Sequence, residues 1–372
     1  MTTKDVLATG RDAVSGLVPE ARQRAGLNFI RVSTVLLVAL VLMQTSRAAG
    51  FSTFGFENWF PIFVAFGLWA VAICTGNILR YGEAGWRALF VLPAIFFTLA
   101  LVIFPTLFGL YIAFTDWNLS SVDGMKFNGL ANFYQLLADE RVWNAMGNMI
   151  FYVATVLIQY AIAFGLALLL NADIKGRKFF RVAFLLPFML SPVAVSWMIG
   201  KSMLEYRFGP VTNFFRSLGW ENPSLFTTPW LAKTTLAAMD AWVWIPFMMI
   251  LLLAGLQAMS KEVQEAAKVD GASGWQSFWQ ITFPLMLSVS MTTVILRIIF
   301  QLKLADIVIN TTSGGPGGAT DTVSSFIFRE YKDRSNVGYG TMVAEVYLIL
   351  IIIFVSLLLK LSSKFMERQG GS

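Results

Sequence analysis

Long apolar stretches alternate with polar ones along the chain, and eight of them approach the roughly 20 residues that an α-helix needs to cross a ~30 Å hydrocarbon layer. They fall near 29–45, 59–79, 88–114, 149–170, 180–200, 236–256, 281–302 and 342–362. None carries the in–out alternation of a transmembrane β-strand, and backbone in lipid must satisfy its own hydrogen bonds. The pattern therefore predicts an all-α, polytopic membrane protein with about eight spans.

Proline enters or borders the later runs at Pro93, Pro105, Pro187, Pro192, Pro246 and Pro284. A proline removes a backbone donor and kinks a helix, which membrane helices tolerate where a neighbour or a cavity satisfies the freed carbonyl. The division this suggests is a tail at 1–28, two peripheral spans in 29–87, a six-span core at 88–362 and a short tail at 363–372. Within the first tail, Arg11, Arg22 and Arg24 are scattered among Val6, Leu7, Val14, Leu17 and Val18, a weak amphipathic pattern that suits a surface helix or a free tail equally. No internal inverted repeat is visible.

Composition sharpens the class. The chain is 56% hydrophobic and 13% charged, against about 25% charged for soluble domains. It has no histidine and one cysteine, Cys74, which rules out imidazole acid–base chemistry, an internal disulfide and the usual zinc sites; no metal site is expected. The net charge of +6 is read through topology and implies no nucleic-acid partner. Lys175, Arg177, Lys178 and Arg181 cluster in the short loop 171–181, which places that loop in the cytoplasm, and an even number of spans then puts both termini there too. Ser46-Arg47-Ala48 loosely resembles a cleavage site, but the polar segment before the first run is long for a signal peptide, so that run is expected to stay as a span.

The outer segments 115–148, 201–235 and 303–341 hold Trp117, Trp143, Trp220 and Trp230, which suit an interfacial belt or a docking surface. Ser313-Gly314-Gly315-Pro316-Gly317-Gly318 predicts an irregular, tightly turned loop.

The polar segment 257–284, between the sixth and seventh runs, carries the most specific signal. Lys261 to Val269 is rich in helix formers, Asp270-Gly271 breaks it, and Ala272 or Ser273 opens a second helix carrying Trp275, Phe278 and Trp279 on to Pro284. Such a hairpin below the bilayer suits either a partner groove, with Val263, Val269, Trp275, Phe278 and Trp279 packing into it and Glu265 meeting an arginine, or an interfacial hairpin without a partner.

Glu265-Ala266-Ala267, then three residues to Gly271, then nine to Ile281-Thr282-Phe283-Pro284, resembles the EAA loop of permease subunits in bacterial binding-protein-dependent ABC importers. The one departure is Phe283 where leucine is usual. Thr312 to Pro316, Phe328-Arg329-Glu330 and Gly338-Tyr339-Gly340 look like the following loop in carbohydrate permeases related to the larger permease of the maltose importer. The resemblance spans about 88–362, and the two earlier spans match the eight-span arrangement. The large periplasmic insertion of the maltose permease is missing, because 115–148 is too short, which argues against maltose as the cargo.

The resemblance implies an inner-membrane permease that pairs with a second, similar permease, two ATPase subunits and a periplasmic solute-binding protein. Coupling to the ATPases would run through Glu265, Ala266, Ala267, Asp270, Gly271, Ile281 and Pro284. ATP and magnesium would belong to the ATPases and this chain would carry no cofactor; it has no Gly-x-x-x-x-Gly-Lys-Ser/Thr phosphate loop and no catalytic set, so it is not expected to be an enzyme.

A charge inside a span marks a pathway or a paired structural site. Asp240 and Arg297 fall at comparable depth in the sixth and seventh runs, so they are read either as an ion pair or as part of the path. In the maltose-type family the sugar lies midway across the membrane against the fifth, sixth and seventh spans. The residues at those positions are Phe188 and Pro192, then Asp240, Val243, Trp244 and Phe247, then Arg297, Gln301 and Leu304. Aromatic faces suit the C–H patches of a sugar, and carboxylates and amides suit its hydroxyls. Arg297 stands where a small neutral residue is usual and, with Lys303, invites an acidic sugar derivative such as a sulfonated or phosphorylated glycoside. The alternative is an ion-coupled secondary transporter built on Asp240 and Arg297, which leaves the hairpin without a role; a membrane-embedded enzyme would need clustered acids, histidines or cysteines that the chain lacks.

Overall fold

The computed structural model describes residues 19–48, 52–122 and 124–370, so the amphipathic pattern read over residues 6–18 lies outside the described residues. Helices dominate, and the only extended pairings among the described residues are the isolated bridges Thr115–Phe127 and Asn118–Asn336. The chain divides into two compact units at Phe108/Gly109.

In the first unit, α1 (Glu20–Ala48) and α2 (Phe60–Tyr81) form an antiparallel pair. They cross where Gly76 and Gly26 meet: a Cβ on Gly76 would lie 2.9 Å from the Gly26 carbonyl oxygen and 2.4 Å from Ile30 Cγ1. Helices in lipid gain little from burying apolar surface and rely on such close approach and on interhelical hydrogen bonds. Trp69 Nε1 donates to Thr34 Oγ1 at 2.9 Å, and the connecting loop is pinned by the amide of Gln44, which accepts from Phe56 N at 2.9 Å. Gly82, at a positive φ of 57° that favours glycine, separates α2 from α3 (Glu83–Thr98). A π segment (Leu99–Ile103) then leads into α4 (Phe104–Ala113).

In the second unit, α5 (Ala131–Ala138) precedes the long α6 (Glu140–Asn171) and α7 (Arg177–Leu185). The fifth apolar run is not the straight span expected over 180–200. α7 and the 3₁₀ turn Leu186–Met189 meet α8 (Pro192–Val195) and its π extension Ser196–Met203 at 94°. The reason is local: Ser191 precedes Pro192 and is held extended at ψ 145°, while Leu190 is extended at ψ 141°.

After α9 (Pro210–Ser217) come α10 (Pro229–Ala258), α11 (Lys261–Val269), α12 (Gly274–Ser277), a π segment Phe278–Thr282 and α13 (Phe283–Gln301). Short α14 (Asp306–Thr311) and α15 (Val323–Lys332) lead to α16 (Val337–Gly370). Among the described residues seven stretches are long and apolar enough to cross a membrane, and the bent pair brings the number to eight if it is one broken span rather than a re-entrant turn.

The core of this unit is the seam between α6, α10 and α13. Ala163 and Ala167 present small side chains on α6, and Met248, Met249, Leu252, Leu256 and Met286 belong to the same buried cluster. At one end the loop after α4 is stitched to the start of α16, with Gly338 N donating to the Trp117 carbonyl at 2.8 Å and Asn132 Nδ2 reaching the carbonyls of Ala113 and Thr115, both at 2.8 Å. The glycine loop takes the tight form expected, with Ser313, Gly314, Gly317 and Gly318 all at positive φ. Asn144 and Asn148 of α6 hold it by donating to the Gly318 carbonyl at 2.7 and 3.0 Å.

Candidate functional site

The hairpin forms as a helix, a tight turn and a second helix, and each junction has an identifiable cause. α11 ends on Gly271 at φ 77°, and the Ala272 amide bonds back to the Ala267 carbonyl at 2.9 Å, the Schellman closure that a left-handed residue makes available. Two residues later Ser273 caps α12: Gln276 N donates to Ser273 Oγ at 3.3 Å, while Ser273 N donates to Gln276 Oε1 at 2.9 Å. This capping box was not singled out in the sequence, although serine followed three residues later by glutamine is its signature.

The second arm does not stop at Pro284. It runs on as one helical stretch, Gly274–Gln301, into the seventh span. The π segment Phe278–Thr282 sits just before Pro284, whose ring would strike the carbonyl of Gln280 in a regular α-turn; the widened turn gives it room. Pro105 follows the π segment Leu99–Ile103 in the same relation.

Glu265, Ala266 and Asp270 are exposed, Ala267 is buried, and Ile281 and Pro284 are half-buried. Val269 is 87% exposed and Trp275 73%, with Val263 and Trp279 also facing out. Phe278 departs from the expected outward apolar set. It turns inward, edge-on to Phe164 of α6 at 5.6 Å, with Phe283 6.2 Å from the same ring. A cavity of about 740 Å³ separates α6 from the second arm, lined among others by Tyr160, Gly165, Leu168, Trp275 and Trp279.

Deeper in the bundle, Asp240 of α10 and Arg297 of α13 form a fully enclosed ion pair, 1% and 0% exposed, through Arg297 Nη2 and Asp240 Oδ2. Gln159 of α6 completes it: its Nε2 donates to Asp240 Oδ2 at 3.2 Å and its Oε1 accepts from Arg297 Nε at 2.9 Å. Gln159 was missed in the sequence, where a lone amide in an apolar run was the available signal.

The Arg297 guanidinium also lies over the Trp244 ring at 4.8 Å, a cation–π contact in a desolvated setting. Trp244 belongs to an aromatic group. It stacks on Phe300 at 4.8 Å and meets Phe247 at 5.8 Å and Phe188 at 5.7 Å, while Phe188 stacks on Phe247 at 5.4 Å. Phe188 reaches the group because the bend at Leu190-Ser191 turns the 3₁₀ segment towards α10. Phe300, one helical turn beyond Arg297, was not singled out; it and Phe188 keep 40% of their surface open.

Of the remaining expected site residues, Gln301 lies beside the Asp240 carboxylate and the others lie elsewhere in the packing. Pro192 is half-buried at the start of α8. Val243 and Gln301 are buried, and Leu304 belongs to a small core with Tyr152, Leu236, Met239, Ile307 and Val308. Lys303 is exposed.

At the end of α6 away from the hairpin, a polar cavity of about 650 Å³ is lined by Arg141, Asn144, Gly314, Asp321, Arg329 and Arg334, among others. Its arginines are paired: Arg329 with Asp321, Arg334 with Glu330, and Arg141 with Asp139 at 2.7 Å. Burial works against the Asp139 carboxylate, but donors from Arg141 and from Tyr339 Oη at 2.9 Å outweigh it and hold its pKa below the usual range. At Asp321 burial prevails over Ser325 and Arg329 and raises the carboxyl.

Comparison with known proteins covers most of the chain. Residues 159–368 match the family described as binding-protein-dependent transport system inner membrane component. The chain is 31% identical over 283 residues to the trehalose/maltose transport system permease protein MalF of Thermococcus litoralis, covering 76% of this chain and 95% of the relative. It is 30% identical over 271 residues to the sulfoquinovosyl glycerol transport system permease protein SmoG of Agrobacterium fabrum, covering 72% and 88%. In fold it resembles a chain of a bacterial alginate ABC transporter solved with an alginate pentasaccharide-bound periplasmic protein, with a TM-score of 0.65 at 20% identity over 83% of this chain and 98% of that one.

Proposed function

Because this chain belongs to the binding-protein-dependent transport system inner membrane component family, we propose that it is the permease subunit of an ATP-driven importer that carries a sugar or sugar derivative across a bacterial inner membrane. The observation that carries the coupling half of this reading is the hairpin. Its turn is fixed at both sides, its carboxylate Glu265 faces out, and its second arm is the same helix that holds Arg297.

In this reading the hairpin end faces the cytoplasm, where two ATPase subunits bind ATP and magnesium and take hold of Glu265 and the apolar side chains around it. Both termini lie on that side. A second permease completes the pathway, and a periplasmic solute-binding protein delivers the cargo at the far end. Closure of the ATPases rocks the spans and exposes the site to one side and then the other. The chain itself hydrolyses nothing.

The aromatic group of Phe188, Trp244, Phe247 and Phe300 is the proposed contact for the sugar's apolar faces. Asp240, Arg297 and Gln301 are its polar counterpart once the spans move, with Pro192, Val243 and Leu304 shaping the path. An acidic group on the cargo is favoured by Arg297 and by the resemblance to a permease named for sulfoquinovosyl glycerol.

The test is reconstitution of the complex with its genomic neighbours and measurement of ATPase rates with each candidate sugar on its binding protein, alongside Glu265→Ala. One sugar should stimulate hydrolysis in the native complex and fail to do so in the variant. Uptake driven by an ion gradient, with no ATPase attached, would replace this reading with secondary transport.

A further inference from the structure

The basic helix α7 has no role in the pathway or the hairpin, yet its side chains are sharply sorted. Arg177, Lys178 and Arg181 fall within one arc of the helix, and Lys175 lies in the turn just before it. None of the four forms an ion pair among the described residues. Phe179, Val182 and Leu186 occupy a second arc and stand exposed, while Phe184 faces inward on the core with Phe180 stacked on it at 6.2 Å. Arg181 anchors the helix: its Nη2 donates to the Leu170 carbonyl at 3.4 Å, near the C-terminus of α6, where a cation is welcome. The helix therefore presents three faces: one packed, one apolar and open, and one cationic and unpaired.

An exposed apolar arc beside a cationic arc is the arrangement of a helix lying at a membrane surface, with the apolar side among acyl chains and the cations level with the headgroups. α7 shares an end of α6 with the hairpin, since Gly165 and Leu168 of α6 line the hairpin cavity and α7 follows the end of α6 directly. On the importer reading, on which this inference rests, that end meets the cytoplasmic leaflet.

We propose that Lys175, Arg177 and Lys178 on α7 and its leading turn form a binding site for the phosphate of an anionic phospholipid in the cytoplasmic leaflet, with Phe179 and Val182 against its acyl chains. Asp173 lies in the same loop but forms no ion pair with these cations among the described residues, and the lipid phosphate supplies their counter-charge. The same site fixes α7, and through the 3₁₀ turn Leu186–Met189 that continues it the position of Phe188 in the aromatic group.

The test is native mass spectrometry of the whole importer complex titrated with dioctanoyl phosphatidylglycerol and, separately, with dioctanoyl phosphatidylcholine. The native complex should bind the anionic lipid preferentially. Each neutralised cation should weaken binding about fivefold, so K175Q/R177Q/K178Q should lose on the order of a hundredfold, whereas the charge-keeping K175R/R177K/K178R should bind as the native complex does. Equal binding of the anionic lipid by the triple glutamine variant overturns the proposal, as does equal binding of the two lipids by the native complex. Displacement by inorganic phosphate at matching concentration overturns the lipid as the occupant. Loss of the ATPase from the glutamine variant with lipid binding unchanged overturns it in favour of a protein contact. If the triple variant does not assemble, Lys175→Gln alone, in the exposed turn, should show the fivefold loss, and no change there is equally decisive. A native complex that retains the lipid but never an ATPase would refute the importer reading and leave the lipid site standing.

Discussion

Removing the charge of Asp240 should destabilise the bundle far more than removing the whole ion pair. Arg297 is completely enclosed, and only Asp240 answers its charge; Gln159 contributes a neutral acceptor and Trp244 a ring face. In Asp240→Asn the guanidinium keeps its hydrogen-bond partners and loses its counter-ion, a change that in buried pairs costs about 3–5 kcal/mol. Arg297→Gln leaves a buried carboxylate with only neutral amides, those of Gln159 and Gln301, beside it and should cost a similar amount. The double variant Asp240→Asn/Arg297→Gln removes both charges and keeps every position polar, so it should recover most of the loss and reveal a coupling of about 3 kcal/mol or more. The assay is thermal unfolding of the purified complex for the four members of the cycle, where a single variant should fall by on the order of 10 °C. Single variants within a degree or so of the native complex, or a double variant whose loss equals the sum of the singles, would refute the reasoning. The same variants carry a second readout. A double variant that folds and transports normally makes the pair a structural clasp, and one that folds but no longer transports places the charges on the cargo's path.

Gly271→Ala forces an L side chain into a left-handed turn, and should cost roughly 1 kcal/mol locally and loosen ATPase coupling with little change in the complex's melting temperature; coupled hydrolysis is the measurement. Trp244→Ala strips a ring that both Arg297 and Phe300 lean on, so the half-saturating sugar concentration for transport should rise by at least tenfold, while Trp244→Phe should recover much of the loss. Asp139 has a pKa held below its unfolded value, so its contribution to stability is present above about pH 4 and is lost as the pH falls through the lowered folded value. Proteolysis of the outer loops of Asp139→Asn, compared with the native chain, should therefore differ at pH 7, and the difference should shrink as the pH falls through that lowered value.

The spans were legible because apolarity over twenty residues is a one-dimensional property, and α2, α6, α10 and α13 lie where the apolar runs do. Direction is not such a property. Residues 180–200 read as one span by composition, and only the backbone limits around Pro187 and Pro192 turn it through 94°. The Gly271 turn was readable for the opposite reason, since its cause lies within a few residues. Gln159 and Phe300 escaped notice because each acquires meaning from a partner on another helix: Gln159 from Asp240, 81 positions away, and Phe300 from Trp244. Phe278 was expected to face out with its neighbours, but the π segment rotates it onto Phe164.

The unbroken helix from Gly274 to Gln301 has a mechanical consequence. Trp275 and Arg297 lie near its two ends, and at 1.5 Å per residue they are about 33 Å apart. Such a rod is a lever: a tilt of about 5° about the Trp275 end sweeps the Arg297 end through about 3 Å, the length of one hydrogen bond. Regular α-turns are stiff, so the compliance of this lever is concentrated in the wide turn at Phe278–Thr282, beside its lower end. A push on the Trp275 end is therefore divided at that turn: what the turn absorbs is lost as local bending, and a stiffer turn would hand more of the motion on to Arg297.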